Sequence, residues 1–517
     1  MTGAEASGFP WLSVLGGLPL AGAVAVALLP RRRSALPKLV ALTVSLVALG
    51  LTVAVALQYD ADGGQQFVEQ HRWISAFGAH YALGLDGIGL LLIVLTALLA
   101  PVVILASWHD AEAGRWSVHA FFAWILAVEG LSIGVFAATD VFLFYVLFEA
   151  TLVPIYFLIG GFGGPRRSYA AVKFLLYSLL GGLLMLASVV GLYVVSAGAG
   201  APSYLLSDLM ALEIDPTTER LLFLGFFVAF AIKAPMWPVH TWLPDAASEG
   251  TPGTSVLLVS VLDKIGTFGM LRFCLGIFPD ASQWATPVVV ALAIFSVLYG
   301  ALVAIGQNDI RRLIAYTSVS HFGFIVLGIF VFNSQGHAGA TLYMLNHGLS
   351  TAALFLVTGF LISRHGTKMI SDFGGVEQVA PVLAGTFLLT GLSTLSLPGL
   401  APFVSEFLVL AGTFTESVTA AVLATLGIVL AAVYILLMYQ RTMTGPVRPG
   451  LESTPDLGGR ELAALAPLLL LLVVLGFFPQ PVLDVVNPGV QSTLEHVGVT
   501  DPVPSADGSA AAHGGDR

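Results

Sequence analysis

Apolar residues run along this chain in blocks of about twenty, separated by short polar stretches. That is the length an α-helix needs to cross the hydrocarbon core of a bilayer, where backbone N–H and C=O groups must be satisfied inside the segment. The pattern predicts about fourteen membrane-spanning segments, at residues 11–29, 37–58, 84–107, 118–138, 140–161, 170–195, 220–246, 254–278, 284–306, 313–332, 338–363, 382–413, 417–440 and 461–485. The expected fold class is an all-α polytopic membrane protein. The first block, Trp11–Leu29, has no basic residue before it and no cleavage site after it, so it reads as a first membrane helix and not a removed signal. Connections are short, which predicts one compact body. After Pro488 the chain turns polar and rich in Ala and Gly, and a mobile tail is expected there.

Two blocks are interrupted near their middles. The seventh reads Ala231-Ile-Lys-Ala-Pro-Met-Trp-Pro238, and the twelfth reads Ser396-Leu-Pro-Gly-Leu-Ala-Pro402. Proline removes an amide donor and clashes with the preceding turn. Non-helical backbone at that depth survives only where protein packs around it or water reaches it. The two breaks fall five segments apart, in corresponding places of two blocks, as in transporters built from an inverted repeat. The expected organisation is residues 1–110 for segments 1–3, 111–278 for a first repeat (segments 4–8), 279–442 for a second repeat (segments 9–13), 443–488 for segment 14 and 489–517 for the polar tail.

Composition agrees with lipid as the solvent. Of 517 residues, 57% are hydrophobic and only 10% charged, against roughly a quarter charged in soluble domains. The formal net charge of −10 argues against nucleic acid, which requires clustered Lys and Arg. One cysteine, Cys274, excludes an internal disulfide framework and a cysteine-ligated iron–sulfur cluster. Lys and Arg collect in the loops after segments 1, 3, 5, 9, 11 and 13 (Arg31, Arg32, Arg33, Lys38, Arg115, Arg166, Arg167, Lys173, Arg311, Arg312, Arg364, Lys368, Arg441, Arg448, Arg460). The opposite side carries only Arg72, Arg220, Arg272 and Arg517. By the positive-inside rule both termini face outward.

Four ionisable residues stand at mid-membrane depth, where a charge costs at least about 2.5 kcal/mol and is rare unless used or paired. Glu149 lies midway in Phe144-Tyr-Val-Leu-Phe-Glu-Ala-Thr-Leu-Val-Pro154, Lys233 directly precedes the first break, Lys264 lies in the eighth segment, and Glu406 follows the second break. Structural ion pairs stapling helices together are the bland alternative. Four such charges, two of them beside breaks, exceed what stapling requires. Glu149 and Lys233 form the natural opposite-charge pair. At a separation of about 4 Å and an effective dielectric near 20, their attraction is on the order of 4 kcal/mol, so a pair that opens and closes is a credible proton switch. His240, His321 and His347 are relay candidates because neutral imidazole both accepts and donates a proton, with a satisfied buried histidine as the alternative. Their spacing is not that of a metal site. Glu129 could touch the same path or simply pack. Asp86 and Asp140 lie near segment ends, where a cap or water explains them; Asp245 and Glu249 are expected to line an inner mouth, and Arg311 and Arg312 to anchor.

Several runs resemble a known family. His240-Thr-Trp-Leu-Pro-Asp-Ala246, Lys264-Ile-Gly266, Asn308-Asp-Ile-Arg-Arg-Leu-Ile-Ala-Tyr-Thr-Ser-Val-Ser-His-Phe-Gly323 and Asn346-His-Gly-Leu349 are similar to the antiporter-like subunits of proton-pumping NADH:quinone oxidoreductase (respiratory complex I) and of Mrp cation/proton antiporters. The resemblance covers residues 80–445. It is greatest to the M type, equivalent to mitochondrial chain 4, because Glu406 stands where L-type, N-type and Mrp members carry lysine. A long lateral helix after the last segment, as in the L type, is not expected. The resemblance implies that Glu149 and Lys233 are the family's ion pair, Lys264 its central lysine, His321 and His347 connecting histidines, and Glu406 the distal acidic end of a hydrated path. It implies no cofactor in this chain, with flavin, iron–sulfur clusters and quinone in partner subunits. It implies neighbouring L-type and N-type subunits, membrane lipid around the chain, and a bacterial plasma membrane. Ala247, Gly250-Thr251-Pro252 and Asp263 depart from the family's usual residues. The expected function is proton translocation driven by redox chemistry elsewhere. The rivals are a cation/proton antiporter subunit, a membrane-bound hydrogenase subunit and a purely structural membrane subunit.

Overall fold

The computed structural model describes residues 8–30, 35–112, 116–200, 202–499 and 501. Arg31, Arg32, Arg33, Arg115 and Arg517, used in the orientation argument, lie outside the described residues, as does most of the expected tail. Among the described residues, twelve helices are long and apolar enough to cross a membrane. They are α1 (Trp11–Leu28), α2 (Ala35–Gln58), α3 (Gly87–Ala106), α4 (Val118–Ala137), α5 (Val141–Phe162), α6 (Arg167–Gly198), α9 (Pro252–Ile277), α10 (Pro279–Ile305), α11 (Ile310–Phe330), α12 (Ser334–His365), α15 (Val418–Met443) and α16 (Gly459–Phe477). The 220–246 and 382–413 blocks instead divide into shorter helices: α7 (Pro216–Lys233) with α8 (Trp242–Glu249), and α13 (Pro381–Thr394) with α14 (Ala401–Glu416).

Burial differs sharply among these helices and sets the core. In α9, α11 and α12 nearly every residue is enclosed, whereas α1, α2 and α16 bury only about a third of theirs. The enclosed helices are those that carry Lys264, His321 and His347. Exposed leucines and valines on α2, α6 and α15 form the outer surface, as lipid contact demands. Helix starts are capped by side chains that meet otherwise unpaired amides: Asp86 accepts from Gly89 N at 2.8 Å, and Asp140 accepts from Leu143 N at 2.9 Å. Capping accounts for both acids.

Two features correct the sequence reading. The loop between α2 and α3 holds an antiparallel hairpin, β1 (Gln66–Ile74) and β2 (Ala79–Leu85), turning through Gly78 at φ +69°. Its buried Glu69 reaches back to accept from Leu12 N at 2.7 Å and so caps α1. The second correction concerns the end of the chain. Segment 461–485 stops at Phe477, where Pro479 and Pro481 interrupt it, and a further helix α17 (Gln480–Val497) continues through Pro488. Val486, Val490, Leu494 and Val497 form a buried stripe on α17, which packs on α3 and α12. The stretch after Pro488 is therefore helix as far as Val497, and the expected boundary at residue 488 falls inside it.

Candidate functional site

Lys264 is built into an irregular stretch of α9. The helix opens on Thr251, whose hydroxyl accepts from Thr254 N, with Pro252 in the first turn, a favourable pair for starting a helix. The departure Gly250-Thr251-Pro252 thus has a local structural role. From Leu257 to Leu262, and again from Met270 to Cys274, the backbone widens into π-helical turns. Such turns recur at functional sites because they displace carbonyls from the regular ladder. Lys264 Nζ donates to one of these, Val259 O, at 2.8 Å, and lies 2.6 Å from His347 Nδ1. It also rests 5.0 Å from the centroid of the Phe322 ring.

The row continues across α11 and α12. The rings of His347 and His321 are 5.4 Å apart between centroids, and His321 Nδ1 lies 2.6 Å from the Tyr343 hydroxyl. Tyr343 precedes His347 by four residues, one turn along the same face of α12. Beyond it, Tyr343 and Glu406 both neighbour Ser396, which occupies the break before α14 with φ +60°, an uncommon conformation for a residue with a side chain. Asn346, on the next residue before His347, donates to Ala401 O at 2.8 Å and holds the start of α14 in place. Lys264, His347, His321, Tyr343 and Glu406 are all buried. Four elements thus converge on one polar line through an otherwise apolar interior.

Lys233 has a different setting. It is the last residue of α7, where a cation complements the unpaired carbonyls of a helix end. The break behind it is well satisfied: Trp242 Nε1 donates to Ile232 O at 2.9 Å, Met236 N to Ala231 O at 3.0 Å, and Trp237 N to the Ser296 hydroxyl at 3.0 Å. The Lys233 ammonium itself has no protein hydrogen-bond partner and lies 5.0 and 5.9 Å from the ring centroids of Phe148 and Phe174. Among the described residues no ion pair within 4.0 Å joins it to Glu149. The expected direct contact is therefore open here, with Glu149 an electrostatic neighbour and not a bonded one. Glu149 is seated against Gly182 of α6, so closely that a Cβ at 182 would fall 1.8 Å from its Oε1.

Other expected site residues separate from this line. His240 is buried against Tyr299 and Tyr316, at 5.1 and 6.2 Å between ring centroids, with no hydrogen bond to the histidine row. Asp245 and Glu249, expected to line an inner mouth, are each held in ion pairs. Asp245 meets Lys173 at 2.7 Å and Arg312 at 2.5 Å, and Glu249 meets Lys368 at 3.0 Å and Arg166 at 3.7 Å. Arg311 donates to Gly250 O at 2.7 Å. These basic residues come from the starts of α6 and α11 and from the loop after α12, and their contacts tie those helix ends together. Glu129 on α4 is fully buried with no protein partner for either oxygen.

Comparison with known proteins gives this geometry a family. The family described as NADH:quinone oxidoreductase/Mrp antiporter, TM, matches residues 138–431. The chain belongs to this family. NADH-quinone oxidoreductase subunit M of Mycobacterium tuberculosis is 52% identical to it, over 98% of this chain and 98% of the relative. Subunit M of Escherichia coli is 39% identical over 85% of this chain and 90% of the relative. Among solved structures, respiratory complex I from Thermus thermophilus contains a chain 32% identical with a TM-score of 0.86, covering 94% of this chain and all of that one. A chain of the Mrp complex from Dietzia superposes with a TM-score of 0.82 at 22% identity, a likeness of fold alone.

Within the family frame, three contributors went unread in the sequence. Tyr343 had a signal, since its four-residue spacing from His347 puts both on one helix face. Gly182 and Ser396 had none, because a close approach and a left-handed backbone conformation exist only once the helices are packed.

Proposed function

We infer that this chain is a proton-translocating membrane-arm subunit of an NADH:quinone oxidoreductase. It moves protons through its buried polar groups while partner subunits carry out the electron transfer. The observation that supports this most is the buried row running from Lys264 to Tyr343, two hydrogen-bonded pairs whose histidine rings lie 5.4 Å apart between centroids, in a chain that aligns with subunit M relatives over nearly its whole length. Lysine and neutral imidazole are the groups that can hand a proton on at such short separations.

In this reading a signal from neighbouring subunits changes the distance between Glu149 and Lys233. With the pair closed the lysine keeps its proton; with the pair open the proton is released toward Lys264, then by way of His347 and His321, the latter held by the Tyr343 hydroxyl, to Glu406. The separation of Lys233 from Glu149 suits the open arrangement. Moving one charge against 100 mV takes about 2.3 kcal/mol, less than the attraction on the order of 4 kcal/mol that a closed pair supplies. His240 stands outside the row and takes no part in this relay.

The surrounding architecture is read accordingly. With the two divided segments counted, the chain crosses the membrane fourteen times. Helices α4 to α9 form one repeat and α10 to α15 its inverted counterpart, with α1 to α3 before them and α16 after. The Lys and Arg bias puts both termini on the outer side of a bacterial inner membrane. L-type and N-type antiporter-like subunits are the neighbours, and the flavin, iron–sulfur clusters and quinone belong to partner subunits. Glu406 favours this reading over a cation/proton antiporter.

Lys233→Ala and Glu406→Ala, introduced into the native complex, test it. In inverted membrane vesicles both variants should assemble, oxidise NADH through the peripheral subunits and lose proton pumping. Normal proton transfer in both would overturn the relay.

A further inference from the structure

One carboxylate is left over by this relay. Asp263 is completely buried, and neither of its oxygens has a protein hydrogen-bond partner. An anion so placed is costly unless charge or function offsets it. Its position on α9 is informative. From Asp263 to Gly269 the helix is regular, so adjacent side chains diverge by about 100° and residues three apart share a face. Gly266, three residues on, abuts the end of α7: a Cβ there would lie 2.6 Å from Ala234 N and 2.6 Å from Phe230 O. Gly269, on the same stripe, abuts the Phe230 ring. Asp263 therefore belongs to the face turned toward the break that carries Lys233.

Lys264 belongs to the neighbouring face. Its ammonium meets His347, and Thr267, three residues on, donates to Met344 Sδ at 3.0 Å, so this face is turned toward α12. The charged neighbours of Asp263 are Lys264 and Lys233. Glu129 of α4, which also packs on α9, is the other buried carboxylate nearby in the fold. One helix thus presents an acid to the first lysine and a base to the histidine row.

Resting on the proton-translocation reading, we propose that Asp263 is the group that carries the proton from Lys233 to Lys264. In the first step an N–H bond of the Lys233 ammonium breaks and an O–H bond forms on the Asp263 carboxylate, leaving a neutral amine and a neutral acid. In the second step that O–H bond breaks as the neutral Lys264 amine takes the proton, which restores the carboxylate and creates the Lys264 ammonium. No charge is stranded between the steps, since each transfer turns an ion pair into two neutral groups or the reverse. Asp263 replaces the apolar residue expected before the central lysine, so this chain has a link that the family pattern does not require.

The test uses the assembled complex in inverted membrane vesicles, with proton uptake measured per NADH oxidised. Asp263→Asn keeps the shape and hydrogen-bonding capacity of the side chain but cannot cycle a proton, and its pumping should fall as far as that of Lys233→Ala. Asp263→Glu should restore it to within about twofold of wild type, as expected when one carboxylic acid replaces another as proton carrier. Wild-type pumping in Asp263→Asn, with Lys233→Ala and Glu406→Ala defective, would overturn this proposal alone. Loss in Asp263→Glu as great as in Asp263→Asn would also overturn it, because a packing role would then explain both. Wild-type pumping in Lys233→Ala and Glu406→Ala would instead overturn the underlying reading. Should Asp263→Asn fail to assemble, Asp263→Ser is judged by the same outcomes.

Discussion

Lys233 and Lys264 are both almost wholly enclosed, at 1% and 0% exposure, and each stands beside an interruption of regular helix. Their partners differ. Lys264 is fixed between a backbone carbonyl and an imidazole nitrogen, at 2.8 and 2.6 Å. Lys233 has only the faces of two phenylalanine rings, with its acid out of bonding range. A hydrogen bond from a charged donor contributes roughly 1.5–3 kcal/mol, and a desolvated cation–π contact about 2 kcal/mol but with far looser direction. The first lysine is therefore free to change partners at little cost, and the second is wired into a path. A switch and a wire call for those two settings.

Substitutions at each end sharpen this contrast. His347→Leu removes the side-chain partner of Lys264 and interrupts the row at its centre. Losing a positioned proton carrier costs on the order of 10²-fold, so proton pumping in vesicles should be lost while the complex still assembles. A smaller effect is expected at the switch. Gly182→Ala forces the Glu149 carboxylate away from α6, because the added methyl would lie 1.8 Å from Oε1. The displaced atom ends a flexible side chain, so the fold should survive. Pumping should change several-fold, and double substitution with Glu149→Gln should add nothing further, as coupled residues do. The smallest effect belongs to Tyr343→Phe, which removes one hydroxyl from His321. A neutral hydrogen bond contributes about 1 kcal/mol, so a rate reduction of roughly fivefold is expected, without loss of coupling.

Much of the architecture could be read from the chain because the bilayer imposes a simple rule. Twenty apolar residues make a span, and prolines such as Pro235 and Pro402 mark where a span fails. The intramembrane charges were legible for the same reason, since half-buried Glu149 and buried Lys233, Lys264 and Glu406 each break an apolar run. What lay hidden depends on contacts between distant segments. The alternating polar residues of Gln66–Ile74 form a strand only because β2 pairs with them, and α17 is held by a stripe of four apolar residues on an otherwise polar helix. Opposite charge suggested a Glu149–Lys233 pair but could not show that the two side chains stand outside bonding range. The ion pairs of Asp245 and Glu249 were hidden because Lys173, Arg312 and Lys368 are far away in sequence. Asp263 was visible as an oddity, but its direction required the packing of Gly266 on Ala234.

The central claim is that protons pass through the buried polar row that begins at Lys264. Its most direct test is proton uptake per NADH oxidised in vesicles bearing assembled Lys264→Ala complex. The account predicts that uptake by this subunit is lost while NADH oxidation by the peripheral subunits continues. An unchanged ratio of protons to NADH in that variant would contradict it.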